Sequence, residues 1–281
     1  MIRLIKMNIY RALHSKSTWI LLIVTMAFGL FAAYMEKTDL DMMKDSYDMI
    51  NNAAEQDEEP MGITVQTPDI HEDGTEPYIL EYVCADIGSC ILCISVTIFA
   101  VIFVNAEYSS GFVKNIAGQV KRRWGLYASK MVVIMIFTML FMIVYAAAQI
   151  IALSIFLENP DFGVNMIGNT IKYALAEWCL YSAFASGLVL AVTVLNNTPI
   201  GIIWGLLSSM GFGTIVGGFI NKVVDIDDFN ICKYFVTENI KSLVRTGTAS
   251  EYADALILAL AFFTVYNLLG IMWVNKKDIK A

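Results

Sequence analysis

One short polar passage carries the residues best suited to a specific chemical role. It extends from residue 107 to residue 130, and its candidate functional residues are Glu107, Gly111, Lys114, Asn115, Arg123 and Lys130. The passage begins with a carboxylate at the end of a long apolar stretch, continues with a glycine that permits a tight turn, and ends in basic residues. This order is typical of a rigid element on the inner surface of a membrane. Such an element could dock a soluble partner, or it could serve as a lid or as an anchor to lipid headgroups.

The sequence lacks the patterns that bind ATP, hold zinc or form a catalytic serine. It contains no glycine-rich loop ending in Gly-Lys-Ser or Gly-Lys-Thr, and no His-Glu-x-x-His. Ser186 beside Gly187 is more typical of helix packing than of a nucleophile, because no histidine occurs in an apolar stretch. The five cysteines lack the paired spacing of a zinc site, although Cys84 and Cys232 could meet in an oxidising space. We therefore expect no catalytic residue, metal site or cofactor site on this chain.

The composition indicates which elements must position the polar passage. Of the 281 residues, 57% are apolar and 16% are charged, whereas soluble domains average about 25% charged residues. Six apolar stretches are close to or above the roughly 20 residues that cross a bilayer as a helix. These are residues 17–35, 87–106, 127–157, 175–195, 200–221 and 254–275. The sequence therefore predicts a single all-α membrane domain over residues 1–281, with six transmembrane helices.

The polar segments between these stretches predict the orientation of the chain. They cover residues 1–16, 36–86, 107–126, 158–174 and 222–253. Twelve of the 19 Lys and Arg residues lie in residues 1–16, 107–130 and 276–281, which together contain two acids. Because cytoplasmic segments are rich in Lys and Arg, we expect both termini and residues 107–126 to be cytoplasmic. The competing interpretation is that the first apolar stretch is a cleaved signal peptide.

Two of the polar segments have alternative interpretations. Residues 1–16 place Ile2, Ile5 and Ile9 at helical spacing, which fits either an interfacial amphipathic helix or a simple basic flank. Residues 36–86 hold 15 of the 26 acidic residues, and we expect them to form an extracellular loop. That loop could attract cationic ligands, or it could keep the outer face soluble. The acidic charge balance gives no reason to expect a nucleic-acid partner.

Polar side chains within the apolar stretches are expensive in lipid and therefore informative. Gln149 lies in the third stretch and Asn267 in the sixth, and both could line a translocation pathway. Both amides could equally form hydrogen bonds that hold helices together. Glu177, in the fourth stretch, is expected to mark the water boundary.

The polar passage resembles a motif of ABC-2 type transporter permease subunits. The likeness extends in particular to the small six-span permeases of Gram-positive bacteria that are related to lantibiotic-immunity and bacitracin-type exporters. The matching positions are Glu107, Gly111, Lys114, Asn115, Arg123, Ser129 and Lys130. Phe112 stands where the family usually has threonine. The family architecture, with an N-terminal elbow helix and polar outer segments after the first and fifth spans, covers essentially the whole chain.

The resemblance implies a function and a set of partners. Residues 107–126 would contain a coupling helix that docks on an ATP-binding-cassette ATPase subunit, and ATP and Mg²⁺ would bind to that partner. A second permease, identical or homologous, would complete the pathway in the lipid of the cell membrane. The cargo would be exported, and an antimicrobial peptide is one class that fits. The alternative is a stand-alone channel or ion-coupled carrier, which would predict ionisable residues near the middle of the membrane.

Overall fold

The protein is helical throughout the part described by the computed structural model, which comprises residues 1–47, 68, 76–109, 124–157, 160–224 and 231–276. Helix accounts for 89% of these residues, and none of them lies in a β-strand. Four helices are long and apolar enough to cross a membrane, and the number rises to six if each of two bent helix pairs is one span. The prediction of an all-α membrane protein is therefore confirmed.

Ten α-helices follow one another along the described chain. They are α1 (Ile2–His14), α2 (Lys16–Tyr47), α3 (Ile79–Gly88), α4 (Ile91–Ser109), α5 (Trp124–Phe156), α6 (Ile167–Leu195), α7 (Thr198–Ser209), α8 (Phe212–Val224), α9 (Val236–Ser242) and α10 (Ala249–Lys276). Short 3₁₀ turns at Val164–Met166 and Ile231–Tyr234 precede α6 and α9. Helices α2, α5, α6 and α10 are the four long candidate spans.

Two of the predicted spans are bent rather than straight. Helices α3 and α4 meet at 52°, and Cys90 between them has a φ of 63°, in the left-handed region. The Ser89 hydroxyl donates to the Asp86 carbonyl at 2.7 Å and so closes the last turn of α3. Helices α7 and α8 meet at 71°, and Gly211 between them has a φ of 87°, which glycine adopts without a steric penalty. The stretches 87–106 and 200–221 therefore each continue across a break in the helix.

The first span is longer than its apolar stretch. Helix α2 runs past residue 35 through Glu36 to Tyr47, so the predicted acidic loop 36–86 begins inside a helix. At the other end of that segment, α3 begins at Ile79, and Asp86 lies within it. Glu36 and Asp86 are both fully buried. The expectation that this whole segment is an exposed loop is wrong for these two residues, because neighbouring helices enclose them.

Helix α6 is central and α10 is peripheral. The apolar part of α6 is 61% buried inside the protein, whereas that of α10 is 17% buried.

Small residues allow close helix contacts elsewhere, as is common in membrane proteins. A Cβ atom at Gly29 of α2 would lie 2.8 Å from the Tyr145 carbonyl oxygen of α5. Where α4 meets α5, the Phe99 ring lies 4.8 Å from Phe137 and 5.4 Å from Phe141.

Helix α1 occupies the segment predicted to be amphipathic, and the side that it turns to the bundle combines polar with apolar residues. Asn8 and Ala12 are its buried residues, while Ile2 is 71% exposed and Leu13 is 43% exposed. Of the apolar residues chosen from the spacing, Ile5 and Ile9 pack against the core, whereas Ile2 lies on the outside of the protein. Polar contacts of Asn8 and Arg11 also hold α1 against the bundle.

The segment from α9 to α10 covers one end of α3. Arg245 forms an ion pair with Glu81 at 2.7 Å, and the Tyr252 hydroxyl donates to the Arg245 carbonyl at 3.0 Å. Glu81 also accepts a hydrogen bond from the Tyr78 backbone N–H at 3.1 Å, which caps the first turn of α3. These contacts tie residues 236–252 to the same end of the bundle as Glu36 and Asp86.

Candidate functional site

The candidate site is a buried ion cluster that joins three helices around Glu107. This carboxylate lies in the last turn of α4 and is 3% exposed. One of its oxygens lies 2.7 Å from the Arg11 guanidinium of α1, and the other pairs with the Lys130 ammonium of α5. Lys130 is itself 4% exposed. Because buried charges are retained only when they are paired, this one carboxylate fixes α1, α4 and α5 relative to each other.

Further contacts hold Arg11 and α1 in place. The Arg11 guanidinium donates to the Phe103 carbonyl at 3.2 Å, and its centre lies 4.4 Å from the Phe103 ring centroid, within cation–π distance. The Asn8 amide donates to the Ser129 hydroxyl at 3.0 Å, and that hydroxyl donates to the Leu126 carbonyl at 3.0 Å. Asn8 and Arg11 thus explain which face of α1 turns inward.

The structure brings together part of the predicted coupling set. Glu107 and Lys130 form an ion pair, although 23 positions separate them in the sequence. Gly111, Lys114, Asn115 and Arg123 lie outside the described residues. Glu107 and Lys130 therefore bracket the passage that contains these four residues. Sequence reasoning counted Arg11 among the cytoplasmic basic residues but did not pair it with Glu107, and it missed Asn8.

Gln149 lies in a second buried polar cluster. Its amide nitrogen donates to both Glu36 oxygens at 3.0 Å and to an Asp86 oxygen at 2.7 Å. The Tyr145 hydroxyl donates to the same Asp86 oxygen at 2.7 Å. Side chains from α2, α3 and α5 thus meet in one hydrogen-bonded cluster. Sequence reasoning identified Gln149 but not its acidic partners, because it assigned them to a loop.

Asn267 does not share this cluster. Its amide donates to the Phe263 carbonyl at 2.6 Å, within α10, and no hydrogen bond joins it to Gln149 in the described chain. Glu177 is fully buried in α6, ten residues after the first residue of that helix. Glu177 is thus enclosed by the protein, and the expectation that it marks the water boundary stays a prediction.

The described residues show no metal or disulfide site. All five cysteines are free, and Cys84 and Cys232 have different neighbours, the Thr170 hydroxyl and the Thr214 carbonyl. Within the described ranges, no group of three His, Cys, Asp or Glu side chains is arranged to hold a metal ion. The candidate functional residues of the described chain are thus those that form buried ion pairs and amide hydrogen bonds between helices.

Comparison with known proteins gives the family. No curated protein sequence matches the chain. Residues 70–217, just over half of the chain, match the model of a family described as ABC-2 family transporter protein. The match runs from the segment before α3 into α8 and includes the whole passage between Glu107 and Lys130. With its apolar helices and this match, the chain is a multi-pass membrane protein that belongs to the ABC-2 transporter family.

Proposed function

We propose that this chain is the membrane-spanning permease subunit of an ATP-binding-cassette exporter. A separate ATPase subunit binds and hydrolyses ATP with Mg²⁺, and this chain provides the pathway. Family membership supports the assignment, since ABC-2 permeases are translocation components that work with ATPase subunits. The absence of a phosphate-binding loop in the sequence agrees with a motor on another chain.

The observation that carries the proposal is the Glu107 ion cluster. It fixes the two ends of the passage that contains Gly111, Lys114, Asn115 and Arg123, which we assign to the contact with the ATPase. Any displacement of that passage acts directly on α4 and α5, and through Arg11 on α1. A buried ion pair resists separation because each ion would lose its partner in a medium of low dielectric constant. ATP-driven closure of the motor would therefore move these three helices as one body.

Less specific features support the proposals of a second permease and of a cargo class. We propose that a second, identical or homologous permease packs against the poorly buried helices and completes the pathway, with the partly exposed Asn267 contributing to its polar lining. The acidic residues of 36–86 would attract a cationic cargo. A cationic antimicrobial peptide fits this charge, and the host would be a Gram-positive bacterium that uses the exporter for immunity.

Co-purification tests the proposal. The tagged chain would be expressed from its native operon, extracted in mild detergent and captured, and the ATPase activity of the eluate would be measured. We expect recovery of an ATPase subunit by the wild-type chain, and loss of that subunit from a Gly111→Pro variant that still reaches the membrane. Lys172→Ala, at an exposed position of α6, is the matched control and should retain the subunit. Cargo export by the chain in vesicles that lack any ATPase would refute the proposal.

A further inference from the structure

The Glu36, Asp86 and Gln149 cluster lies far from the Glu107 site. Gln149 follows Lys130 by 19 residues on the same helix, which corresponds to about 28 Å along the axis. Each of the three side chains is 0% exposed. The cluster thus joins α2, α3 and α5 at the end of the bundle opposite the proposed ATPase contact.

The charges of this cluster are not balanced by the described protein. Two carboxylates face the same amide nitrogen, and neither has a Lys, Arg or His partner among the described residues. The other ionisable groups that face them are Asp39 on α2, Tyr82 on α3 and Tyr145 on α5, and none of these is a base. An unpaired charge is strongly disfavoured away from water, and this favours uptake of a proton or another cation by the carboxylate pair.

Several buried polar atoms in the cluster have no hydrogen-bond partner within the described part of the chain. They are one oxygen of Asp86, the amide oxygen of Gln149 and the Tyr82 hydroxyl. The two oxygens are acceptors in need of a donor or a cation, and the Tyr82 ring is also fully buried beside Glu36. Buried polar atoms of a native protein are normally satisfied. These atoms and the excess negative charge therefore both favour the binding of a proton or another cation.

We propose that Glu36, Asp86 and Gln149 form a binding site for one small monovalent cation, either a proton or an alkali-metal ion. The cation cancels one of the two negative charges, and the Gln149 amide and the Tyr145 hydroxyl stabilise the charge that remains, so that α2, α3 and α5 stay packed at this end of the bundle. Its loss would leave two like charges facing each other in an environment of low dielectric constant and would favour separation of the helices. The inference does not depend on the exporter assignment, because it concerns binding to this chain alone.

Thermal unfolding of the purified full chain in phosphatidylcholine nanodiscs tests the site. Tryptophan fluorescence would be followed in two series. The first replaces choline with Na⁺ at constant ionic strength and pH, and the second changes pH in the absence of Na⁺. A bound Na⁺ predicts a higher unfolding temperature as Na⁺ increases, whereas a bound proton predicts no Na⁺ response and a higher unfolding temperature as pH falls.

Neutral isosteres assign the response to the cluster. In Asp86→Asn and Glu36→Gln, we expect loss of whichever shift the wild-type protein shows. Asp41→Asn, at an exposed position of α2, should keep the full shift. A wild-type protein whose unfolding temperature responds to neither series would overturn the proposal, even if neither isostere folds. A shift of equal size in Asp86→Asn and in the wild type would overturn it as well.

Discussion

Replacing Glu107 with glutamine should strongly destabilise the packing of α1, α4 and α5. The substitution preserves shape but leaves the Lys130 ammonium, which is 4% exposed as a residue, without its counter-ion. Breaking a buried ion pair by removing one partner costs roughly 3–5 kcal/mol. The Arg11 side chain is 27% exposed, so water partly replaces the carboxylate that Arg11 would lose. The contribution of the Arg11–Glu107 pair is therefore closer to the ~1 kcal/mol of a surface pair. We therefore expect the free energy of unfolding to fall by about 4 kcal/mol, which is the lower end of the buried-pair range plus the share of Arg11.

Reversible unfolding in mixed micelles, followed by tryptophan fluorescence, measures this loss. Lys130→Gln should cost less than Glu107→Gln, because Glu107 keeps Arg11 as a partner. In the double variant the two losses should be less than additive, since each removes the same ion pair. Asp254→Asn, at an exposed position of α10, should leave the free energy of unfolding unchanged. A Glu107→Gln variant as stable as Asp254→Asn would refute the reasoning.

Two further pairs of variants test close packing and the buried amide by the same unfolding assay. Gly29→Ala should cost about 1–3 kcal/mol, because the added methyl group meets a backbone oxygen that has little freedom to move. Gly168→Ala, where no atom lies within 4 Å of the new methyl group, should be neutral, and equal losses at the two sites would contradict this packing. Gln149→Leu should lower the unfolding temperature clearly, since it removes the amide between two carboxylates. Asn267→Leu should lower it little, because its hydrogen bond lies within one helix, and a larger effect of Asn267→Leu would be inconsistent with the structure.

The helical architecture was predictable because lipid imposes a simple rule on sequence. Long uncharged stretches that satisfy their own backbone hydrogen bonds are helices, and the described structure follows that rule. Glu107 and Lys130 were identified because each interrupts apolar sequence at the edge of a polar passage. The participation of Arg11 in this ion cluster depends on where α1 packs, which the local pattern does not specify.

The acidic cluster could not be predicted from local sequence. Glu36 and Asp86 lie at the ends of the most acidic segment of the chain, where charge favours an exposed loop. Their burial depends on tertiary contacts with Gln149 and Tyr145 of α5, which follow much later in the chain. The bend at Cys90 is similar, because the residue with a left-handed backbone is a cysteine and not the glycine that usually marks such a position.

Site-specific photo-crosslinking from position 114 tests the central claim most directly. A photoreactive residue in place of Lys114 would be activated in native membranes, with the same residue at the exposed position Lys172 as a control. We predict a covalent adduct with an ATP-binding subunit from position 114 and none from position 172. An assembled, transport-competent protein that gives no such adduct from position 114 would contradict the account.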